Sequence, residues 1–213
     1  MQGDHDVPPA TESGPVTEHA WGDTYQAWLT DANNVDQAVY TAVAKTPTPA
    51  LDVALRRVSN AANYSLLWFG IASGLAVLGG REGRRAAVRG VAAIAVTSPL
   101  VNLAAKRVGR RPRPVLDDGH VPTRSVRMPA SRSFPSGHSA SAFAFASGVG
   151  SVWPVFAVPL HGAAGVVAYS RVHTGVHYPG DVVVGSILGT VLAQLTVQAV
   201  ERYERRRSSG SPS

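Results

Sequence analysis

The 213-residue chain contains no cysteine and only two lysines, Lys45 and Lys106. The absence of cysteine excludes disulfide bonds, thiolate nucleophiles and cysteine-ligated metal sites. Arginine therefore supplies nearly all the positive charge behind the net charge of +6, a balance that suits nucleic acid, anionic lipid or phosphate substrates. The arginine- and alanine-rich composition with almost no lysine indicates a bacterium with a GC-rich genome.

Charged side chains are also nearly missing from four stretches between residues 64 and 200. Tyr64–Gly80 and Val182–Val200 carry no charge, residues 86–105 carry one arginine, and Ser139–Ser170 runs for 32 residues without Asp, Glu, Lys or Arg. A helix needs about 20 apolar residues to cross a bilayer, so the longest run has the length of two short spans joined by a turn near 148–154. The predicted spans are 64–80, 86–105, 137–150, 153–169 and 182–200.

These spans predict an all-α, polytopic transmembrane helix bundle of five or six spans with its active site at one membrane face. A soluble protein with buried helices is the alternative, but so many near-chargeless runs are rare in soluble domains. The predicted organisation is a disordered polar tail over 1–20, an amphipathic helical region over 21–60, the transmembrane domain over 61–202 and a basic flexible tail over 203–213. A sixth span would have to lie within 21–60.

Three polar clusters stand at the ends of the predicted spans. They are KRVGRRPRP at 106–114, PSGH at 135–138 and SRVHTGVHYPGD at 170–181. The second span ends, the third begins, the fourth ends and the fifth begins on the same side of the membrane. All three clusters are therefore expected to face one compartment, although each cluster alone would be an ordinary anchor, cap or turn.

The residue types in the clusters suit the chemistry of phosphate. Lys106, Arg113 and Arg171 offer a point charge and two planar guanidinium groups that grip a phosphoryl group. Ser136 and Gly137 offer backbone N–H groups at a helix N-terminus, which form an anion site.

Two histidines and one aspartate complete the candidate catalytic set. His138 and His177 can act as nucleophile and general acid. Asp181 lies four residues after His177, within reach to orient an imidazole and stabilise its cation.

The order and spacing of these residues resemble the three motifs of the type 2 phosphatidic acid phosphatase superfamily, which also contains the vanadium haloperoxidases. The matching patterns are Lys-x6-Arg-Pro, Pro-Ser-Gly-His and Ser-Arg-x5-His-x3-Asp, over about residues 60–200. The resemblance implies that His177 forms a phosphohistidine, that Asp181 orients it and that His138 protonates the leaving alcohol. It assigns phosphate binding to Lys106, Arg113, Ser136, Gly137 and Arg171.

The expected function is therefore that of an integral membrane phosphatase that hydrolyses lipid phosphomonoesters or pyrophosphates. Phosphatidic acid, phosphatidylglycerol phosphate and polyprenyl (pyro)phosphates all remain candidate substrates. The resemblance implies neither a metal nor another cofactor, and no nucleic-acid partner is expected. His173 and His177 lie four residues apart, but the glutamate of an HExxH motif and a third ligand are missing.

Two other functions remain open at this point. The first is a vanadate-dependent haloperoxidase, which shares the motifs, although the haloperoxidases that this chain resembles are soluble proteins without apolar spans. The second is a non-enzymatic basic protein that binds anionic lipid, which would have no use for the two histidines and the aspartate. Arg124, Arg127 and Arg132 in the loop over 115–133 are candidates for headgroup selection. The protein is expected to be integral to the bacterial cell membrane. Arginines follow the span ends on the side away from the motifs, and the positive-inside rule places such a side in the cytoplasm, so the active site is expected to be extracytoplasmic.

Overall fold

The computed structural model describes residues 18–105, 107, 111–115 and 124–209, and every regular element in these ranges is helical. The helices are α1 (Glu18–Lys45), α2 (Pro49–Ala61), α3 (Leu66–Leu78), α4 (Gly80–Pro99), α5 (Gly137–Gly150), α6 (Ala157–His173) and α7 (Pro179–Ser209). Short 3₁₀ turns over Asn63–Ser65 and Pro154–Phe156 precede α3 and α6, and α4 continues as wider π turns over Leu100–Ala105. The predicted all-α class is confirmed.

The chain divides into two compact units, residues 1–35 and residues 36–213. Helix α1 runs across this boundary, and all of the predicted site residues belong to the second unit. The predicted tail over 1–20 lies outside the described residues except for 18–20, which begin α1. At the other end α7 continues to Ser209, so residues 203–209 of the predicted basic tail are helical.

Three helical segments are long and apolar enough to cross a membrane, namely Gly80–Leu103, Pro154–His173 and Pro179–Ser209. Helices α2 and α3 pass the same test as a pair, although a 65° bend separates them. All five apolar segments predicted as spans are helical, but α3 and α5, which correspond to the first and third of them, have only 13 and 14 residues. At 1.5 Å per residue each reaches about 20 Å, which is short of the roughly 30 Å hydrocarbon core. The first predicted span is therefore long enough only together with α2. The third predicted span is therefore a short central helix.

Small residues allow α5 to be surrounded by its neighbours. A Cβ atom added to Gly189 of α7 would lie 2.2 Å from the carbonyl oxygen of Ala140, and one added to Gly185 would lie 2.5 Å from that of Ser136. These glycines let two backbones approach at a distance that any side chain would prevent. The opposite face of α7 exposes an apolar stripe with four-residue spacing, as expected of a surface that faces lipid: Val183, Ile187, Val191 and Leu195.

The two ends of the bundle differ in what they hold. At one end the ring of Trp153, between α5 and α6, packs against Gly79 at the turn from α3 to α4. At the other end the Ser136 N–H donates to the Asp181 carbonyl at 2.9 Å, and Arg171 Nη1 donates to the Ser59 carbonyl at 3.1 Å. The last turns of α2 and α6 and the first turns of α5 and α7 therefore meet at this second end.

Candidate active site

One cavity of about 270 Å³ at this end is lined by residues from all three sequence motifs. Arg113 reaches it from the loop after α4, Gly137 and His138 from the first turn of α5, and His177 from the turn between α6 and α7. Ser136 supplies the N-cap of α5, because its side chain accepts from the Ser139 N–H. The cavity combines a guanidinium group with two imidazoles.

The contacts of His177 determine which of its ring nitrogens carries the proton. Arg113 Nη1 lies 3.3 Å from His177 Nε2, and a guanidinium group can only donate. Nε2 is therefore the acceptor, and the proton is on Nδ1, which lies 3.5 Å from Asp181 Oδ2. This tautomer leaves a lone pair on Nε2, beside the guanidinium group. A nucleophilic imidazole requires such a lone pair.

The electrostatic surroundings keep this imidazole neutral. Burial is the largest cause that lowers the pKa of His177, and the charges of Arg113 and Arg171 act in the same direction. The hydrogen bond and charge of Asp181 oppose them, and the resulting pKa is about 4. His177 therefore keeps its Nε2 lone pair at neutral pH.

The Asp181 carboxylate is fully buried and accepts from several parts of the chain. It receives the hydroxyl of Ser133, the backbone N–H of Tyr178 at 2.9 Å and Arg111 Nη1 at 3.3 Å, in addition to facing His177. The first two donors hold the oxygen that faces the imidazole. Their combined effect is to hold the carboxylate where it can orient Nδ1–H and stabilise an imidazolium.

Arg111 is a site residue that the sequence did not single out. Its guanidinium group forms ion pairs with both Asp36 and Asp181, and it lies 4.0 Å above the centre of the Tyr178 ring. Asp36 Oδ1 also accepts the N–H of Gly180 at 2.6 Å. Helix α1 is thereby joined through Asp36 to the first turn of α7, an interaction across 144 residues that no local pattern reveals.

Arg113 and Arg171 carry two further positive charges to the site. Arg113 donates to the carbonyls of Ser131 at 2.9 Å and Val176 at 2.5 Å, which aims its guanidinium group across the cavity. Arg171 is 1% exposed and is not among the residues that line the cavity. Its Nη1 instead donates to the carbonyl and the hydroxyl of Ser59. Its buried Nε has no hydrogen-bond partner among the described residues. The charge of Arg171 still reaches His177, because it helps to lower the pKa of that imidazole.

The remaining residues of the expected phosphate-binding set differ in their position. Gly137 lines the cavity, and a Cβ atom there would lie 2.6 Å from Asn102 Oδ1, so a larger residue would require the Asn102 side chain to move. Ser136 is fully buried and its N–H is already bonded to Asp181, so it acts on the backbone and cap of α5. Lys106 lies outside the described residues.

Comparisons with known proteins identify the family. Residues 87–205 match the family described as the PAP2 superfamily. Decaprenylphosphoryl-5-phosphoribose phosphatase of Mycolicibacterium smegmatis is 32% identical over 163 residues, which cover 74% of this chain and 84% of that protein. The chain belongs to the PAP2 superfamily. The resemblance inferred from its three motifs is thus confirmed.

Other PAP2 proteins extend the comparison to solved structures. The crystal structure of Aquifex aeolicus LpxE has a TM-score of 0.62 at 26% identity and covers 76% of this chain and 94% of that one. The structure of a transmembrane PAP2 type phosphatidylglycerolphosphate phosphatase from Bacillus subtilis has a TM-score of 0.61 and covers 81% of this chain and 87% of that one. At 23% identity, the similarity is one of fold. Lipid A 1-phosphatase of Rhizobium etli is 35% identical over 99 residues, 46% of this chain and 43% of that protein.

The expectation that Arg124 selects headgroups is wrong. Arg124 is 1% exposed, and its Nε donates to Asp52 Oδ1 at 2.8 Å. Asp52 also accepts from His173 Nε2 at 3.0 Å, so Arg124 belongs to a buried network that links α2, α6 and the loop before α5. The other two candidate arginines of that loop, Arg127 and Arg132, are exposed.

The charges that surround the cavity favour an anion over a metal cation. Among the residues that the structure describes, three guanidinium groups, those of Arg111, Arg113 and Arg171, stand beside the two carboxylates of Asp36 and Asp181. Within the described ranges no group of three His, Asp or Glu side chains is arranged to hold a metal ion.

Replacing Asp36 with Asn is expected to lower kcat about tenfold without unfolding the protein. Loss of this carboxylate removes one of the two described ion pairs of Arg111, which strengthens the pull of Arg111 on Asp181 and draws Asp181 away from His177. A shift worth about 1.4 kcal/mol corresponds to tenfold in rate. Phosphate release at saturating substrate measures the effect. Asp31→Asn, an exposed position on the same helix, is the matched control. Equal kcat in the two variants would remove Asp36 from the site.

The ring of His177 is expected to stay neutral and Nδ1-protonated down to about pH 5. Because its pKa is lowered to about 4, the unfolded chain binds more protons than the folded one between pH 4 and 6.5, and acidification destabilises the fold in that window. Spectra of ¹⁵N-histidine in detergent micelles, assigned by comparison with His177→Gln, report both the tautomer and the titration. A midpoint at or above 6.5 would contradict the buried, cation-flanked environment.

Proposed function

We propose that this membrane phosphatase of lipid phosphates removes the terminal phosphate from a polyprenyl-linked sugar phosphate through a phosphohistidine on His177. The observation that carries the chemistry is the contact of Arg113 Nη1 with His177 Nε2, because it fixes a neutral imidazole with its lone pair toward the cavity. The observation that supports the substrate class is the 32% identity with decaprenylphosphoryl-5-phosphoribose phosphatase over most of both chains.

In the first step the phosphate displaces the contact between Arg113 and His177 and accepts the hydrogen bond of the guanidinium group instead. The Nε2 lone pair attacks phosphorus, the bond to the leaving oxygen breaks, and His138 gives its proton to that oxygen. Asp181 holds the Nδ1 proton and stabilises the imidazolium character of the phosphorylated ring. Arg113 and Arg171, with Lys106 from the matching motif, balance the charge on the phosphoryl oxygens.

In the second step water replaces the alcohol. His138, now neutral, takes a proton as the water oxygen attacks phosphorus, and the nitrogen–phosphorus bond breaks to return His177 to its starting tautomer. Inorganic phosphate then leaves, and His138 is again protonated. The guanidinium groups around the cavity supply the electrostatic stabilisation that both steps need, so we expect no requirement for a metal ion.

The other functions considered from the sequence have less support. A protein that only binds anionic lipid gains nothing from a buried aspartate held by Ser133 and Tyr178 against an imidazole. A haloperoxidase would share the anion site, but the relatives matched over most of this chain are named as phosphatases.

Purified protein in detergent with EDTA is expected to release phosphate from a polyprenyl phosphoryl-ribose 5-phosphate faster than from phosphatidic acid, phosphatidylglycerol phosphate or a polyprenyl pyrophosphate. His177→Gln is expected to lower release by more than about a thousandfold, as loss of a covalent nucleophile does elsewhere. His161→Gln is the matched control, since His161 makes helix-packing bonds with Ser147 and Ala157. Undiminished release by His177→Gln, or release only after metal addition, would reject the mechanism.

We also infer that the active site faces away from the cytoplasm. Exposed arginines at the opposite end of the bundle are Arg81, Arg84, Arg85, Arg202, Arg205, Arg206 and Arg207. At the site end, Arg111, Arg113, Arg124 and Arg171 are engaged inside the protein, which leaves Arg57, Arg107, Arg127 and Arg132 as the exposed ones described there. The positive-inside rule then favours a cytoplasmic location for the opposite end.

The absence of native cysteine gives this orientation a clean test. Val115→Cys, in the exposed loop at the site end, is expected to react with a membrane-impermeant maleimide in intact cells. Ser208→Cys, near the end of α7, is expected to react only after the cells are opened. The reverse labelling pattern would place the active site in the cytoplasm.

A further inference from the structure

A second cavity of about 400 Å³ lies beside the first and shares His138, Tyr64 and Pro129 with it. Asn63 and Arg127 line the second cavity but not the first, whereas Arg113 and His177 line the first but not the second. His138 therefore stands on the boundary between a chamber that holds the nucleophile and a chamber that does not.

The geometry of phosphoryl transfer predicts on which side of His138 the leaving group lies. The attacking and leaving atoms lie roughly in line on opposite sides of phosphorus. With His177 on the side of the first cavity and the general acid His138 on the boundary, the leaving oxygen and the group attached to it extend past His138 into the second cavity.

The contact of His138 with Asn63 points in the same direction. His138 Nε2 lies 3.0 Å from Asn63 Oδ1, and an amide oxygen can only accept, so Nε2 carries the proton in this contact. Because Asn63 lines the second cavity, the proton of His138 is directed toward that chamber. A leaving oxygen that replaces or joins Asn63 as the acceptor would receive this proton.

The backbone next to Asn63 is strained in a way that holds this contact. Tyr64 and Ser65 both adopt left-handed conformations, with φ of 54° and 59°, although neither is glycine. The Cβ atom of a residue other than glycine makes this conformation unfavourable, and such conformations persist only where the surrounding structure enforces them. On either side of this turn Ala62 and Trp68 are buried, and they hold the chain on the bundle while Asn63 turns toward His138.

The second cavity has the lining expected of a site for a hydroxylated, anionic headgroup. It combines the amide of Asn63 and the guanidinium group of Arg127 with the Tyr64 ring and Met128. A sugar offers hydroxyls to the amide and an apolar face to the ring, and the phosphodiester that joins it to a polyprenyl chain offers a negative charge to Arg127.

We propose that this cavity binds the sugar of the leaving group and that Asn63 is a positioning residue that directs the proton of His138 toward the leaving oxygen. The identity of the sugar-bearing substrate rests on the proposed function, whereas the role of Asn63 applies to any alcohol leaving group.

The test of Asn63 compares substrates whose leaving groups differ in their need for a proton. Asn63→Ala is expected to lower kcat for the sugar lipid phosphate about tenfold, part of the 10²–10⁴ that general acid catalysis typically contributes. Its single-turnover rate of nitrophenolate release from p-nitrophenyl phosphate should change less than about twofold, because nitrophenolate leaves without a proton and this rate does not include the water step, in which His138 also takes part. Asn63→Asp, which keeps an acceptor oxygen, should restore most of the loss, and Asn60→Ala, exposed on α2, is the matched control. Equal losses on both substrates, or no loss on either, would overturn the role of Asn63.

Ala130→Trp tests the cavity separately by filling it from an exposed position. It is expected to raise KM for the sugar lipid phosphate at least fivefold, on the order of 1 kcal/mol, and to leave p-nitrophenyl phosphate hydrolysis unchanged. An unchanged KM would overturn the assignment of this cavity to the leaving group. If the wild-type protein prefers phosphatidic acid, the proposed substrate class fails, and the Asn63 comparison made with phosphatidic acid still decides the positioning role.

Discussion

The buried carboxylate of Asp181 is the group on which the rest of the site depends. An isolated charge in the protein interior costs several kcal/mol, so its donors must stay in place for the fold to tolerate it. These donors come from Ser133 before α5, from Tyr178 in the turn before α7 and from Arg111 after α4. Satisfying one carboxylate therefore joins three separate segments of the chain, and the same arrangement orients the imidazole of His177.

The second constraint is the balance of charge around the cavity. Arg111 is matched by Asp36 and Asp181, whereas Arg113 and Arg171 are held mainly by carbonyl and hydroxyl oxygens. Neutral acceptors fix the direction of a guanidinium group without cancelling its charge. In the proposed mechanism, cations that are held in this way need little reorganisation when a phosphoryl group develops additional charge in the transition state.

The helix bundle brings these groups to one membrane face. Glycines of α7 allow it to approach the short helix α5 closely, and the hydrogen bond from Ser136 to Asp181 joins their first turns. The cavity consequently lies at one end of the bundle. This position suits the proposed substrate, because a phosphate can enter the cavity from the end of a membrane-spanning bundle while the apolar tail stays in the bilayer.

The sequence by itself determined the helical class, the order of the motifs and the side on which they meet, because apolar runs form helices and successive spans alternate in direction. It also indicated that His177 and Asp181 act together, since they lie four residues apart. Only the tertiary structure distinguished two similar arginines. Arg111 belongs to the site, where it forms an ion pair with Asp36, 75 residues away. Arg124 lies outside the site, because it forms an ion pair with Asp52, 72 residues away. The contact of Asn63 with His138 likewise spans 75 residues. Such pairs depend on how helices pack within a few ångströms, which local sequence patterns do not encode.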